Sequence, residues 1–230
     1  MSEINWTAIM PTYEDMLLAG VHYGRKKTVR HPKMDSFIYA LKDSIHLINI
    51  FKTEETLKEA IEFLKKIKES GGVIFWTALT KHSEEKISEI ANLFSMPYVK
   101  ERWLGGTLTN FKTIQERIKY YKEKKEKWGN KEYLDKLTKK ERYDFEKEIK
   151  LLQEKFEGLV NMTKLPDVVF LSSLRHGALP LREAKRMGIK VVCICNTESD
   201  PTQVDYPIPA NDNSRQSVEL ILETVKKALV

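Results

Sequence analysis

Unbroken apolar runs alternate along this chain with segments in which apolar residues recur every three or four positions. The apolar runs predict five strands, at residues 73–76, 97–99, 167–171, 189–194 and 206–208. The segments with helical spacing predict helices at residues 83–94, 179–187 and 214–229. Unbroken apolar strands that alternate with amphipathic helices are typical of a parallel sheet covered by helices on both faces. The pattern therefore predicts an α/β fold.

The first 72 residues carry the signals of a short helix, a pair of strands and a longer helix. Thr12 and Asp15 form a predicted capping box for the short helix, which Gly20 ends. Thr53 is the predicted N-cap of the longer helix, which a double glycine ends. In chain order, the two strands and the longer helix are predicted at residues 37–40, 45–50 and 53–69.

The region of residues 111–160 departs from this alternation, because its apolar residues recur every three or four positions on both sides of a break at residues 129–130, except that Lys125 occupies one expected apolar position. The apolar residues are Phe111, Ile114, Ile118, Tyr121, Trp128, Phe145, Ile149, Leu152, Phe156 and Leu159. Such a pattern on two successive helices predicts an antiparallel coiled-coil hairpin. We therefore predict an α/β domain of residues 1–110 and 161–230 with a coiled-coil hairpin of residues 111–160 inserted into it. Tyr121, Trp128 and Phe145 are its candidate contacts to a protein partner.

Positive charge is concentrated in two parts of the chain, whose net charge is +6. Residues 112–155 contain fifteen Lys or Arg and ten Asp or Glu, so this region alone carries +5. A solvated helix surface accounts for most of these charges. A loop at residues 25–33 is also basic, and contacts from such side chains to phosphates give affinity that salt screens. Its candidate RNA-binding residues are Arg25, Lys26, Lys27, Arg30, His31 and Lys33.

A segment at residues 102–111 combines a cation, a large aromatic ring and a double glycine, in the order Arg-Trp-Leu-Gly-Gly-Thr-Leu-Thr-Asn-Phe. Glycine lets the backbone turn sharply or approach a partner closely. The cation and the ring suit an RNA or protein surface, so Arg102, Trp103, Asn110 and Lys112 join the candidate RNA-binding residues. The alternative is a tight turn from strand to helix with a buried tryptophan.

The sequence lacks the motifs of nucleotide-binding and hydrolytic α/β enzymes. The strand at residues 73–76 is followed by Thr-Ala-Leu-Thr-Lys, without a glycine-rich loop, and no phosphate-binding loop ends in Gly-Lys-Ser or Gly-Lys-Thr. Ser172, Ser173 and His176 follow another strand but do not have the spacing of a nucleophile elbow. A nucleotide-binding or enzymatic module that uses His176 is the alternative function.

Other residue types give no sign of a metal, a disulfide or a membrane segment. The other four histidines lack the spacing of metal ligands. Cys193 and Cys195 share one face of a predicted strand, as small core residues would. No apolar run approaches the ~20 residues that cross a bilayer, and the first six residues show no signal or transit peptide. We expect no cofactor, no membrane contact and no homo-oligomer.

Over essentially its whole length the chain resembles the bacterial-type family of small ribosomal subunit protein S-two. The most specific shared run is Trp-Leu-Gly-Gly-Thr-Leu-Thr-Asn-Phe, at residues 103–111. Further shared motifs follow one another in the same order, at residues 19–24, 31–34, 38–39, 97–99, 138–141, 165–167, 182–184, 188–189, 196–201 and 206–212.

The resemblance implies a flavodoxin-like α/β domain with a protruding coiled-coil hairpin. It implies a structural, non-catalytic role in the small ribosomal subunit, with rRNA and neighbouring ribosomal proteins as partners. The family's neighbours include the multi-OB protein S-one, in bacteria that have it. The expected location is the ribosome, in the cytoplasm or in an organelle matrix.

Three pairs of residues depart from the usual motifs of that family. Arg30 and His31 stand where the family has Trp-Asn, which removes one aromatic side chain. The residue pair 78–79, Ala-Leu, replaces Gly-Thr after the first parallel strand. Ser172 and Ser173 stand where an acidic residue usually follows a later strand.

Overall fold

The computed structural model describes residues 5–100 and 102–230. Residues 1–4 and Glu101 lie outside the described part of the chain. Residues 1–4 belong to the first six residues, in which the sequence shows no signal or transit peptide. The strands are β1 Tyr23–Lys26, β2 Ile38–Lys42, β3 Ile45–Ile48, β4 Ile74–Thr77, β5 Tyr98–Val99, β6 Val168–Leu171, β7 Lys190–Cys195 and β8 Tyr206–Pro209. The α-helices are α1 Trp6–Ile9, α2 Tyr13–Leu18, α3 Ile50–Glu69, α4 Lys81–Leu93, α5 Phe111–Gly129, α6 Lys131–Asp135, α7 Lys139–Phe156, α8 Ala178–Met187 and α9 Arg215–Leu229.

Five strands form a parallel sheet in the order β5-β4-β6-β7-β8, which confirms the predicted α/β fold. Successive residues of a strand face opposite sides of the sheet. Trp76 and Phe170 therefore lie in one buried cluster, with side chains of α3, α4 and α9. Phe75 and Val169 lie in a second cluster on the other side, with side chains of α5, α7 and α8. The two cores explain why these strands are apolar without interruption.

The two cysteines lie in β7 and face the same side of the sheet, as predicted. Cys193 and Cys195 are fully buried in the second cluster, and both are free thiols. Burial raises the pKa of the Cys193 thiol well above its ordinary value, because a thiolate loses its hydration there. This environment keeps the thiol protonated and fits a core residue.

A smaller antiparallel sheet, in the order β1-β3-β2, lies N-terminal to the parallel one in the sequence. The predicted turn between β2 and β3 is confirmed, and its two central residues, Asp43 and Ser44, have φ of 49° and 63°. A tight hairpin turn with matching twist requires positive φ at both positions. The pattern did not predict β1, whose residues 25 and 26 were assigned to the basic loop. β1 is a strand because β3 pairs with it, with Tyr23 opposite Leu47.

The start of α2 confirms the predicted capping box. The Thr12 hydroxyl accepts a hydrogen bond from the Asp15 amide, and the Asp15 carboxylate accepts one from the Thr12 amide. Gly20 has φ of 72°, a left-handed conformation that glycine adopts without steric cost, so the helix ends before it. Local side-chain chemistry sets both ends of this helix.

The predicted start of α3 is wrong. Asn49 is the N-cap, and its side-chain oxygen accepts a hydrogen bond from the amide of Phe51 at 3.1 Å. Thr53 is instead buried inside the first turns of the helix, where its hydroxyl donates to the carbonyl of Pro209 at 2.6 Å. Both residues are able to cap a helix, and the packing of α3 against β8 decides between them.

Helices α5 and α7 run antiparallel beside each other. The Tyr120 hydroxyl donates to Glu148 at 2.7 Å, and the rings of Trp128 and Phe145 lie 6.0 Å apart. α5 ends at Gly129, as predicted. The connection is longer than the predicted short turn, because α6 lies within it. Coiled-coil packing and the division into two units stay predictions.

The predicted seam of the hairpin is mostly buried. Tyr121 is 1% exposed and lies in the second cluster of the sheet, whereas Phe145 is 8% exposed and lies in a separate cluster of the hairpin. Trp128 is half-buried, and the contact of these three side chains with a protein partner stays a prediction. The hairpin's base joins the second cluster, whereas its far end has a separate cluster of Leu134, Phe145 and Ile149.

Candidate nucleic-acid interface

Arg25 is bound to acids and amides of the same chain at the carboxyl ends of β7 and β8. Its guanidinium lies 2.8 Å from Glu198 and 3.6 Å from Asp212, and it donates to the side-chain oxygen of Asn213 at 2.8 Å. The backbone amide of Arg25 donates to the Thr197 hydroxyl at 2.8 Å. These bonds fasten β1 to the edge of the parallel sheet. Arg25 therefore has a structural role in the isolated chain, and its predicted RNA contact is not favoured by this geometry.

Lys33 and His31 converge on Asp200. The Lys33 ammonium lies 2.9 Å from the Asp200 carboxylate, and the His31 Nε2 atom lies 4.0 Å from it. Hydrogen bonds from Thr202 and from Lys33 hold the pKa of Asp200 well below its ordinary value. Because the carboxylate stays charged, it neutralises much of the field of the lysine.

Lys26 and Lys27 differ from the rest of the basic loop. Both side chains are exposed, and neither makes an ion pair with any side chain that the structure describes. Arg30, by contrast, lies 2.7 Å from Asp35. The six predicted basic side chains therefore separate into partnered ones and two lysines whose charge faces solvent.

Trp103 is buried within the segment at residues 102–112, which we call the Arg102–Lys112 segment. The tryptophan is 6% exposed, and its ring packs against Phe75 with the ring centroids 5.3 Å apart. A ring enclosed in this way offers no open face to a base. The alternative interpretation, a turn with a buried tryptophan, describes the geometry.

The charged ends of the Arg102–Lys112 segment remain accessible. Arg102 and Lys112 are exposed and make no ion pair within the part of the chain that the structure describes. Asn110, at the start of α5, is also exposed, and its side-chain oxygen accepts a hydrogen bond from Thr113 at 3.0 Å. Two exposed cations, with no ion pair to any described side chain, thus flank a turn whose residues Trp103, Thr107 and Leu108 are buried.

Glu183 binds this turn through both carboxylate oxygens. Oε1 accepts hydrogen bonds from the Trp103 indole at 2.9 Å and from the Gly106 amide at 2.9 Å. Oε2 accepts from the Leu108 amide at 3.0 Å and from the amide and hydroxyl of Thr109 at 3.3 and 3.2 Å. Burial alone would raise the pKa of Glu183, but these hydrogen bonds outweigh it and leave the pKa lowered. The carboxylate is therefore charged and buried.

Glu183 belongs to a motif shared with the S-two family, at residues 182–184, but it was not among the candidate site residues. Glu183 lies on the buried side of α8, together with Pro180, Leu181 and Ala184. A charged residue on the apolar face of a helix requires buried partners. The identity of those partners could not be read from the sequence, because they lie about 75 to 80 residues away.

Two serines after β6 take part in the structure of the sheet edge. Ser172 is fully buried and accepts hydrogen bonds from the Leu79 amide at 2.9 Å and from the Ser83 hydroxyl at 3.0 Å. Ser173 is fully buried and donates to Asp212 at 2.6 Å. Neither hydroxyl is free to act as a nucleophile.

His176 is exposed, and no hydrogen bond joins it to either serine in the described parts of the chain. Asp212 instead accepts a further hydrogen bond from the Asn196 side chain at 2.9 Å. The edge at which doubly wound folds bind ligands is thus filled by the chain's own polar side chains. The enzymatic alternative that uses His176 gains no support.

An apolar groove lies on another surface, between α2, β2 and the start of α3. It has a volume of about 230 Å³ and is lined by residues that include Leu17, Tyr39, Leu47 and Phe51. Tyr39 is 72% exposed and Phe51 is 59% exposed. Exposed apolar surface of this kind is typical of a contact between proteins.

Neither a metal centre nor a membrane-spanning helix is found among the residues and side chains that the structure describes. No group of three or more His, Cys, Asp or Glu side chains there is arranged to hold a metal ion. No helix in those residues combines the length and apolar composition needed to span a bilayer.

The fold and the edge network define a class of protein: a doubly wound α/β scaffold with an inserted helical pair and with exposed, unpartnered cations on its surface. A sequence profile described as Ribosomal protein S2 matches residues 16–230. The chain therefore belongs to the ribosomal protein S2 family, and it is a ribosomal protein.

Individual relatives agree with this assignment. The chain is 39% identical over 218 residues to the small ribosomal subunit protein uS2 of Fusobacterium nucleatum, covering 94% of this chain and 88% of the relative. It is 38% identical over 218 residues to the protein of the same name from Bifidobacterium longum, and the match covers 95% of this chain and 78% of that relative. It is also 38% identical over 217 residues to the protein of that name from Cytophaga hutchinsonii, and this match covers 94% of this chain and 85% of that relative.

Proposed function

We propose that this chain binds small-subunit rRNA through two groups of free cations and binds a protein neighbour through its apolar groove. As a member of the ribosomal protein S2 family, it has a structural role in the small ribosomal subunit, and membership implies a scaffold and not a catalyst. The first group of cations is Lys26 and Lys27, and the second is Arg102 and Lys112. This choice narrows the ten candidate RNA-binding residues of the sequence to those with accessible charge.

The pairing of charges is the observation that carries the proposal. Arg25, Arg30 and Lys33 already have carboxylate partners in the folded chain. Lys26 and Lys27 have none among the described residues, although they lie on the same short stretch. A free cation releases condensed counterions when it meets a phosphate, whereas a paired one must first lose its partner. The free lysines therefore supply the larger share of phosphate affinity.

The test replaces Lys26 and Lys27 by alanine and measures the affinity of the purified chain for small-subunit rRNA. Salt is varied from about 50 to about 200 mM, the range in which phosphate contacts lose most affinity. Each lost phosphate contact reduces the slope of log affinity against log salt by about 0.7–0.9. We expect the variant to bind rRNA more weakly than the unchanged chain at low salt. Its slope of log affinity against log salt should be smaller by the amount that one or two lost phosphate contacts produce.

Lys185→Ala with Arg186→Ala is the matched control. These residues are also exposed and basic, but they lie near the end of α8, just before β7, at the opposite edge of the sheet. The control variant should bind with the affinity and salt slope of the unchanged chain. Equal losses in both variants would indicate a general effect of net charge and would contradict a contact at Lys26 and Lys27.

The neighbouring protein is the second part of the proposal, and the multi-OB protein S-one is the neighbour we propose. Tyr39→Ser with Phe51→Ser removes exposed aromatic surface from the groove without changing charge. We expect small subunits assembled with this variant to keep the chain but to lose one neighbouring protein, as measured by mass spectrometry of gradient fractions. An unchanged protein content would exclude the groove as a docking surface.

A further inference from the structure

We propose that Glu183 is a positioning residue for RNA binding, which holds Arg102 and Lys112 at the spacing that the rRNA contact uses. The inference rests on the proposed function, because it concerns one of the two groups of cations. Glu183 is buried and touches no RNA itself, so its effect passes through the Arg102–Lys112 segment.

The first step is that the Glu183 carboxylate accepts hydrogen bonds from residues at both ends of the turn. Its donors begin at Trp103, directly after Arg102, and end at Thr109, directly before Asn110 and the start of α5. One side chain of α8 therefore fixes both ends of the turn. Arg102 directly precedes the fixed part, and Lys112 follows it by three residues, in the first turn of α5.

The second step is the flexibility that this binding removes. Gly105 and Gly106 have no side chains to restrict them, and Gly106 has φ of 90°. The turn's own backbone bonds are local, from Thr107 to the Leu104 carbonyl and from Asn110 to the Gly106 carbonyl. Without a distant anchor, ordering such a segment on RNA costs conformational entropy. Because the turn is bound to Glu183, this conformational entropy is lost when the chain folds and not when it binds RNA.

The third step is the need for a carboxylate. All five groups that approach the two oxygens are N–H or O–H donors. An ionised carboxylate only accepts hydrogen bonds, so it matches them all. The amide group of a glutamine has the same size but would direct N–H groups at other N–H groups. Glu183→Gln therefore loosens the turn while it keeps the volume of the side chain.

The experiment is a double-mutant cycle on rRNA affinity. It compares the unchanged chain, Glu183→Gln, Arg102→Ala with Lys112→Ala, and the combination of all three substitutions. We expect Glu183→Gln to weaken binding about tenfold, the scale of one to two lost hydrogen bonds. In the variant that lacks Arg102 and Lys112, we expect Glu183→Gln to cause almost no further loss of rRNA affinity. The reason is that the two side chains that Glu183 positions are then absent.

Amide hydrogen exchange of the free chain is the second readout. We expect faster exchange at residues 104–110 in Glu183→Gln and unchanged exchange in the strands of the parallel sheet. Glu223→Gln is the control, since Glu223 forms ion pairs with Lys86 and Lys226 on the other side of the sheet. It should leave both the affinity and this exchange unchanged.

The outcomes separate this inference from the function on which it rests. If removal of both cations leaves rRNA affinity unchanged, the proposed contact at this segment is wrong and the inference fails with it. If removal of the cations weakens binding but Glu183→Gln does not, the contact stands and the positioning role is wrong. An equal loss from Glu183→Gln in both backgrounds also overturns it, because the effect then comes from general destabilisation.

A milder variant covers the case in which Glu183→Gln fails to fold. Thr109→Val removes one donor to Glu183 from an exposed residue and keeps the size of the side chain. We expect about a two- to threefold loss of affinity, which again disappears when Arg102 and Lys112 are absent. A loss that persists without those cations would overturn the proposal.

Discussion

The indole nitrogen of Trp103 donates a 2.9 Å hydrogen bond to Oε1 of Glu183, 80 residues further along the chain. This bond explains how the tryptophan can be buried although its indole carries a polar N–H group. The ring fills the core next to Phe75, while its one polar atom reaches a charged acceptor. The same residue that the sequence offered as a stacking face is thus part of the scaffold that presents Arg102.

Trp103→Phe tests this relationship through stability. The substitution keeps an aromatic ring against Phe75 but removes the donor to Glu183. We expect a loss of about 1–3 kcal/mol in the free energy of unfolding, because a buried charged acceptor loses a partner. Urea denaturation measures it. A variant as stable as the unchanged chain would mean that the bond contributes nothing.

The pH dependence of stability should report Glu183. Its pKa is lowered in the folded chain from an ordinary value of 4.5, so the charged form stabilises the fold. That contribution is complete above pH 4.5 and is lost as the pH falls through the lowered folded pKa. We expect the stability difference between the unchanged chain and Glu183→Gln to be constant from neutral pH down to pH 4.5 and to shrink below it. Denaturation at a series of pH values checks this, and a difference that grows on acidification would contradict it.

Gly24→Ala should be destabilising because of close backbone packing. An added Cβ would lie 2.6 Å from Thr197 Cγ2 and 2.7 Å from the carbonyl oxygen of His46. Relief of that overlap would separate β1 from the edge of the parallel sheet, at a cost of about 1–3 kcal/mol. Gly129→Ala is the control, since a Cβ added at Gly129 would meet no atom within 4 Å. Thermal unfolding that ranks the two variants in the opposite order would refute the packing argument.

Arg25→Ala should lower stability, whereas Lys26→Ala and Lys27→Ala should not. Loss of the guanidinium leaves Glu198 with Arg175 as its remaining cation and removes the only ion pair that the described residues give Asp212, whose side chain is 1% exposed. We expect a loss of about 2 kcal/mol, since removing one partner leaves buried charge uncompensated. Thermal unfolding of the three variants is the measurement. Equal melting temperatures would show that the Arg25 network is not stabilising.

The alternation of strands and helices could be predicted because each parallel strand is buried on both faces and its apolar run is a local signal. The capping box at Thr12 and the left-handed Gly20 are local as well. β1 could not be predicted, because its partner β3 makes it a strand. The choice of Asn49 over Thr53 as N-cap depends on contact with Pro209, 156 residues away from Thr53.

The candidate interface was predictable in its location but not in its detail. Charge density indicated the basic loop, yet which charges are free depends on Glu198, which is 173 residues from Arg25. A variant that combined Arg25→Ala with Lys27→Ala would therefore mix a loss of stability with a loss of phosphate affinity. The burial of Trp103 depends in the same way on a distant carboxylate.

The small cluster at the far end of the hairpin shares no buried residue with either core of the parallel sheet. Cooperativity between the two ends of the hairpin must then pass along α5 and α7 alone. Thermal fraying can begin at the distal end and stop before the base, which remains anchored in the second cluster. We therefore expect rigidity to decrease from the base of the hairpin to its far end, and contact with a larger particle to stiffen the outer half most.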